Sequence, residues 1–78
     1  MKVEVLGPGC PRCNRTHRLI RDTAHEMGKD IDLEHITDIK DISQRGVFHT
    51  PAVVLEGEVI SEGDVPTTEQ VQNWLEAI

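Results

Sequence analysis

Aromatic side chains are almost missing from this chain: Phe48 and Trp74 are all it has, and tyrosine is absent. A core must therefore be built mainly from Val, Ile, Leu and Ala. Basic residues are also scarce, with 8 Lys and Arg against 14 Asp and Glu and a formal net charge of −6. That shortage argues against non-specific binding to nucleic acid or to an anionic membrane, both of which rely on a cationic face. No apolar run is long enough to span a bilayer, and Met1-Lys2-Val3-Glu4-Val5-Leu6 is too short and too charged for a signal peptide. Cytoplasmic residence is expected. Two cysteines are too few for a disulfide scaffold, and a reducing compartment keeps a merely structural disulfide open. A close pair in that setting reads as redox-active or metal-binding.

With 78 residues the chain is expected to form a single domain over 1–78, near the lower size limit for independent folding. Five of the eight basic residues, Arg12, Arg15, Arg18, Arg21 and Lys29, follow the cysteines closely. The cysteine end should be the least negative part of the surface. Arg18 and Arg21 read as ordinary solvated helix charges, whereas Arg12 sits between the two thiols.

Residues 2–6 alternate and are rich in Val, which predicts a strand broken by Gly7-Pro8-Gly9. Pro11 suits a first helical turn, and Thr16, Ile20, Thr23, Ala24 and Met27 recur at helical spacing up to a stop at Gly28. Ile31, Leu33 and Ile36 alternate with Asp32, Glu34 and His35 as a second strand. A short helix is expected from Asp38 to Arg45, ending at Gly46. Pro51 to Leu55 is a third strand, turned at Glu56-Gly57 into a fourth over Glu58–Ser61. Thr67 and Gln70 form a capping box for a last helix with a stripe of Val71, Trp74, Leu75 and Ile78. The order β-α-β-(α)-β-β-α requires a parallel crossover and an antiparallel hairpin. An α/β domain with one four-stranded mixed sheet and flanking helices satisfies both.

Cys10-Pro11-Arg12-Cys13 lies where the first strand gives way to the first helix. Sulfurs two residues apart at a helix start come close enough to bridge. The helix N-terminus and the Arg12 charge favour a thiolate at Cys10, depressing its pKa below the usual value of about 8.5. Cys13, one turn in, is expected to stay a covered thiol. Cys10 then attacks a disulfide, and Cys13 resolves the mixed disulfide. Thr50-Pro51 opens the third strand; on these residues alone it reads as a trans proline, while a cis bond would aim the Thr50 backbone at the cysteines for strand-like pairing with substrate.

The two separated motifs, with the Gly63 turn and the final helix, resemble the thioredoxin/glutaredoxin superfamily. More narrowly, the chain is similar to its short thioredoxin-like redox-active disulfide proteins of archaea and bacteria. The resemblance implies a thioredoxin-like fold and protein-disulfide reductase activity. It assigns Cys10 as nucleophile, Cys13 as resolving cysteine, and Pro51 as a cis-proline packed against them, with Thr50 and Pro51 binding substrate. Disulfide-bearing proteins are the implied substrates, a flavin disulfide reductase or glutathione the implied electron donor, and no resident cofactor is called for. Glu4 falls where thioredoxins carry a buried acid that assists the resolving cysteine, although strand position alone reads it as solvent-facing. The chain departs from thioredoxins in having Gly9 where they have Trp, and Pro11-Arg12 where they have Gly-Pro. The glutathione-binding pattern is present only as Gly63-Asp64.

The rival class is a small metal-binding or metal-transfer module using Cys10 and Cys13, with His17 on the same side of the helix. A structural zinc site wants four ligands, and the chain offers no second cysteine pair. His17 lies beside the apolar stripe and reads as solvent-facing. A thioredoxin-like scaffold used only for binding would need neither cysteine.

Overall fold

The computed structural model describes residues 1–9 and 11–77; Cys10 and Ile78 lie outside them. Seven elements follow in order: β1 (Lys2–Leu6), α1 (Pro11–Met27), β2 (Asp32–Ile36), α2 (Ile39–Gln44), β3 (Ala52–Leu55), β4 (Glu58–Glu62) and α3 (Thr68–Glu76). One mixed sheet runs β2-β1-β3-β4. β1 pairs with β2 in parallel and with β3 antiparallel, and β3 and β4 form the hairpin. The register shifts between Val53 and Val54, so that β4 carries a bulge.

Strand alternation sorts the core into two layers. Val3, Val5 and Val53 pack with Ile20 and Ala24 of α1 and with Val71 and Leu75 of α3. Leu6, Ala52 and Val54 face the other way, onto Ile42 of α2, Val47 and Ile36. Because both faces of β1 and β3 are covered, these two central strands are apolar almost throughout.

The helix ends form as their residues dictate. α1 stops at Gly28, whose φ of 68° allows Lys29 N–H to reach Ala24 O at 2.9 Å and Gly28 N–H to reach His25 O at 3.2 Å. Asp38 and Arg45, expected inside α2, are its caps; the Asp38 carboxylate accepts from Lys40 N–H. Thr67 and Gln70 make both bonds of the capping box. In α3, Val71 and Leu75 are buried and Trp74 is half-buried, while Ile78, expected in that stripe, is outside the described residues. Among the described residues no helix is long and apolar enough to cross a membrane.

Two positions differ from the alternation read in the sequence. His35 shares its face with Leu33 and looks inward toward α1, because Ile36 is needed on the α2 side. Glu4, read as solvent-facing from its strand, is 6% exposed. Both faces of the strand are covered, so neither parity leads to water.

Candidate active site

The β1–α1 junction is tight for a steric reason. A Cβ on Gly7 would come within 2.8 Å of Cys13 Cβ, closer still to its Sγ, and 3.7 Å from Thr50 Cβ. Gly7 therefore marks one point in space against which both motifs lie. Its N–H donates to Ile36 O at 2.9 Å, continuing the β1–β2 ladder one residue past the strand. Cys13 is fully buried one turn into α1, and the next turn is fixed by Thr16 Oγ1 donating to Arg12 O at 2.9 Å.

On the far side of Gly7 the Thr50–Pro51 peptide is cis. The trans form expected from the residues alone is thus corrected, in favour of the geometry the resemblance implied. Pro51 is buried and its carbonyl accepts from Gly63 N–H at 2.9 Å. Gly63 in turn accepts from Arg12 Nη2 at 2.6 Å, and Asp64 lies 3.6 Å from the same nitrogen. A continuous path of hydrogen bonds thus runs from the Cys-Pro-Arg-Cys turn through Gly63 to the cis-proline. The Arg12 guanidinium is directed at the β4–α3 loop, where Asp64 shares its charge.

The loop before Thr50 is held by β4. Glu62 accepts from Phe48 N–H at 2.9 Å and His49 N–H at 3.1 Å, and these bonds, with the nearby His49 charge, hold its carboxyl below the usual range. Phe48 is presented to solvent at 77% exposure. Beside it a cavity of about 310 Å³ is lined by Pro8, Ile39, Ile42, Val47, Phe48 and Thr50. This apolar depression opens directly beside the junction that carries the cysteines.

Behind the junction Glu4 is clamped by Arg45, whose Nη1 donates to Glu4 Oε2 at 2.6 Å and whose Nε lies 3.5 Å from Asp41. A carboxylate buried at this depth requires such a partner. On the opposite face His17, expected in solvent, is half-buried with its ring 5.4 Å from that of His35. Among the described residues, no group of three or more His, Cys, Asp or Glu side chains is arranged to hold a metal ion.

The family description "Thioredoxin domain" matches residues 1–76. The chain belongs to the thioredoxin family. It is 31% identical over 75 residues to a thioredoxin of Methanocaldococcus jannaschii, covering 96% of this chain and 86% of that protein. A thioredoxin of Methanothermobacter thermautotrophicus is 28% identical over 75 residues, covering 96% and 97% of the two chains. Family membership gives this chain a function of the thiol–disulfide oxidoreductase kind.

Of the residues singled out in the sequence, Cys13, Thr50, Pro51 and Arg12 meet around Gly7 and Gly63 in this thioredoxin fold. Cys10 lies outside the described residues. Gly7 was read only as a strand break, Gly63 as a turn and part of a glutathione-binding pattern, and Glu62, one residue past the expected fourth strand, was given no role. A glycine chosen for close approach carries the same one-letter signal as a glycine chosen for a turn, and only the packed partner tells them apart.

Proposed function

We propose that this chain is a protein-disulfide reductase working through a Cys10–Cys13 dithiol/disulfide couple. The observation that carries the reading is the placement of buried Cys13 and the cis Thr50–Pro51 peptide against the same residue, Gly7. That arrangement suits a resolving thiol shielded from solvent beside a backbone edge that positions a substrate strand.

In the proposed cycle the Cys10 thiolate, favoured by the α1 N-terminus, attacks one sulfur of a substrate disulfide. The substrate's second sulfur leaves as a thiolate and takes a proton. Cys13 then loses its proton and attacks Cys10, releasing the first substrate sulfur and leaving Cys10 and Cys13 oxidised. Two electrons have passed to the substrate. A flavin disulfide reductase or glutathione returns them, restoring the dithiol. Thr50 offers its backbone to the substrate strand, and the depression beside Phe48 receives a neighbouring side chain. Arg12 contributes to the thiolate mainly by anchoring the turn, since Gly63 and Asp64 occupy its donors. The cytoplasm is the compartment that keeps such a couple reduced.

A redox titration tests the core of this reading. Alkylation and mass counting across thiol buffers should show one cooperative two-thiol transition. A midpoint near about −270 mV marks a thioredoxin-like reductant, and one nearer about −120 to −180 mV an oxidant or isomerase. Arg12 favours the less reducing side of the thioredoxin value. Cys10→Ser should abolish protein-disulfide reduction while leaving the fold intact. Full reductase activity in that variant would overturn the mechanism.

A further inference from the structure

The exposed face of α1 holds a charge arrangement that helix stability does not explain. Residues 11–21 contain Arg12, Arg15, Arg18 and Arg21 and no acid, in a chain with 14 Asp and Glu. The helix dipole favours acids near this end and disfavours cations, so the first turn carries the opposite of what the helix itself prefers. Stabilising a thiolate at Cys10 accounts for Arg12. It does not account for Arg18, which lies about 10 Å along the axis from Pro11, beyond the Debye length of about 8 Å at physiological salt.

Arg12, Arg15 and Arg18 follow one another at spacings of three, so they lie side by side as a ridge that starts at the Cys-Pro-Arg-Cys turn. All three are exposed. Arg12 is engaged with Gly63 O and Asp64, and Arg21 is paired with Asp22. Arg15 and Arg18 have no ion-pair partner among the described residues. We propose that this ridge docks an acidic polypeptide segment bordering the substrate disulfide, an inference that rests on the disulfide-reductase reading. Charge complementarity selects that occupant. The ridge runs about 9 Å along the helix axis, a length that about three residues of extended chain cover. The rest of the protein is acidic, but salt confines each charge to its neighbourhood, and much of a molecule 33 Å long is out of reach of the cysteine turn. The local cations, and not the net charge of −6, then decide which disulfides are favoured.

The test uses pre-reduced protein and three synthetic peptides with the same disulfide, flanked by Asp, by Ser or by Lys. Second-order rate constants of single-turnover reduction are read by acid quench, alkylation and mass. Each is taken relative to reduction by dithiothreitol, which corrects for the peptide's intrinsic reactivity. At about 0.02 M salt the Asp peptide should react roughly tenfold faster than the Lys peptide, the low end of electrostatic steering. At about 1 M salt, where the Debye length falls to about 3 Å, the two rates should converge. Arg15→Glu/Arg18→Glu should reverse the order while leaving the rate of the Ser peptide unchanged, which separates docking from an effect on the Cys10 thiolate. If that variant does not fold, the salt dependence of the wild-type chain decides the question by itself. Equal rates, faster reaction of the Lys peptide, or an order that survives in the variant would each overturn the proposal while sparing the reductase reading. Failure to reduce any of the three peptides would overturn both.

Discussion

Gly7 is constrained by space. Its backbone is outside the left-handed region in which Gly9 and Gly63 lie, yet the direction its side chain would take is filled by Cys13. Gly7→Ala must push Cys13 and the start of α1 away from the cis-proline. The expected result is a loss of about 1–3 kcal/mol, the usual range for overpacking, read as a lower urea midpoint. Reductase activity should fall with it, because the sulfur moves. Glu4 and Arg45 provide a second residue-scale test. Arg45→Ala leaves a carboxylate at 8% side-chain exposure without its 2.6 Å partner. A buried acceptor left unpaired costs about 1–3 kcal/mol, and pairing Arg45→Ala with Glu4→Gln should recover much of the loss. Chemical denaturation of the two single variants and the double variant measures the coupling directly. The cysteines and Thr50-Pro51 could be singled out in the sequence because their chemistry or covalent geometry is unusual. Glu4 was singled out only through the resemblance, because its burial depends on α2 lying over the sheet and strand position alone points it to solvent.

The elements meet at loops whose geometry is set by side chains from elsewhere. Residues 46–51 carry the cis-proline and Phe48, and the Glu62 carboxylate at the end of β4 holds them through two backbone N–H groups. These bonds favour the charged carboxylate, so its pKa in the folded protein lies below the ordinary 4.5. The unfolded chain consequently binds the proton more readily. This contribution to stability is complete above the unfolded pKa and is lost as pH falls through it toward the lower folded value. Glu62→Gln should therefore lower the urea midpoint at neutral pH. The gap from wild type should narrow in acid, as pH falls below 4.5 through the lowered folded value. A gap independent of pH would show that the charge has no part in holding the loop. α1 was readable in the sequence almost to the residue, since Pro11 and Gly28 bound a helical stripe. The β4 end was extended by one residue, to Glu62, and that residue is the one that fastens the loop.

At the scale of the whole molecule, the parallel β1–β2 crossover and the antiparallel β3–β4 hairpin leave β1 and β3 to pair at the centre of the sheet. That pairing brings residue 7 beside residue 50, and so brings together two motifs some forty positions apart. The basic residues following the cysteines remain on α1, with Arg12, Arg15, Arg18 and Arg21 all exposed. The sequence by itself determined the elements, the stop of α1 at Gly28, the capping box of α3 and the position of the dithiol motif at a strand-to-helix junction. Local propensity, turn chemistry and apolar period act over a few residues and are written in consecutive letters. Only the tertiary structure decided that Gly7 is a contact point, that Thr50–Pro51 is cis, that Arg12 bonds to Gly63, and that Glu4 and the His17–His35 pair are sequestered. Each depends on what a distant segment places opposite the residue, and the burial of two sheet faces at once removes the alternation that would otherwise reveal it.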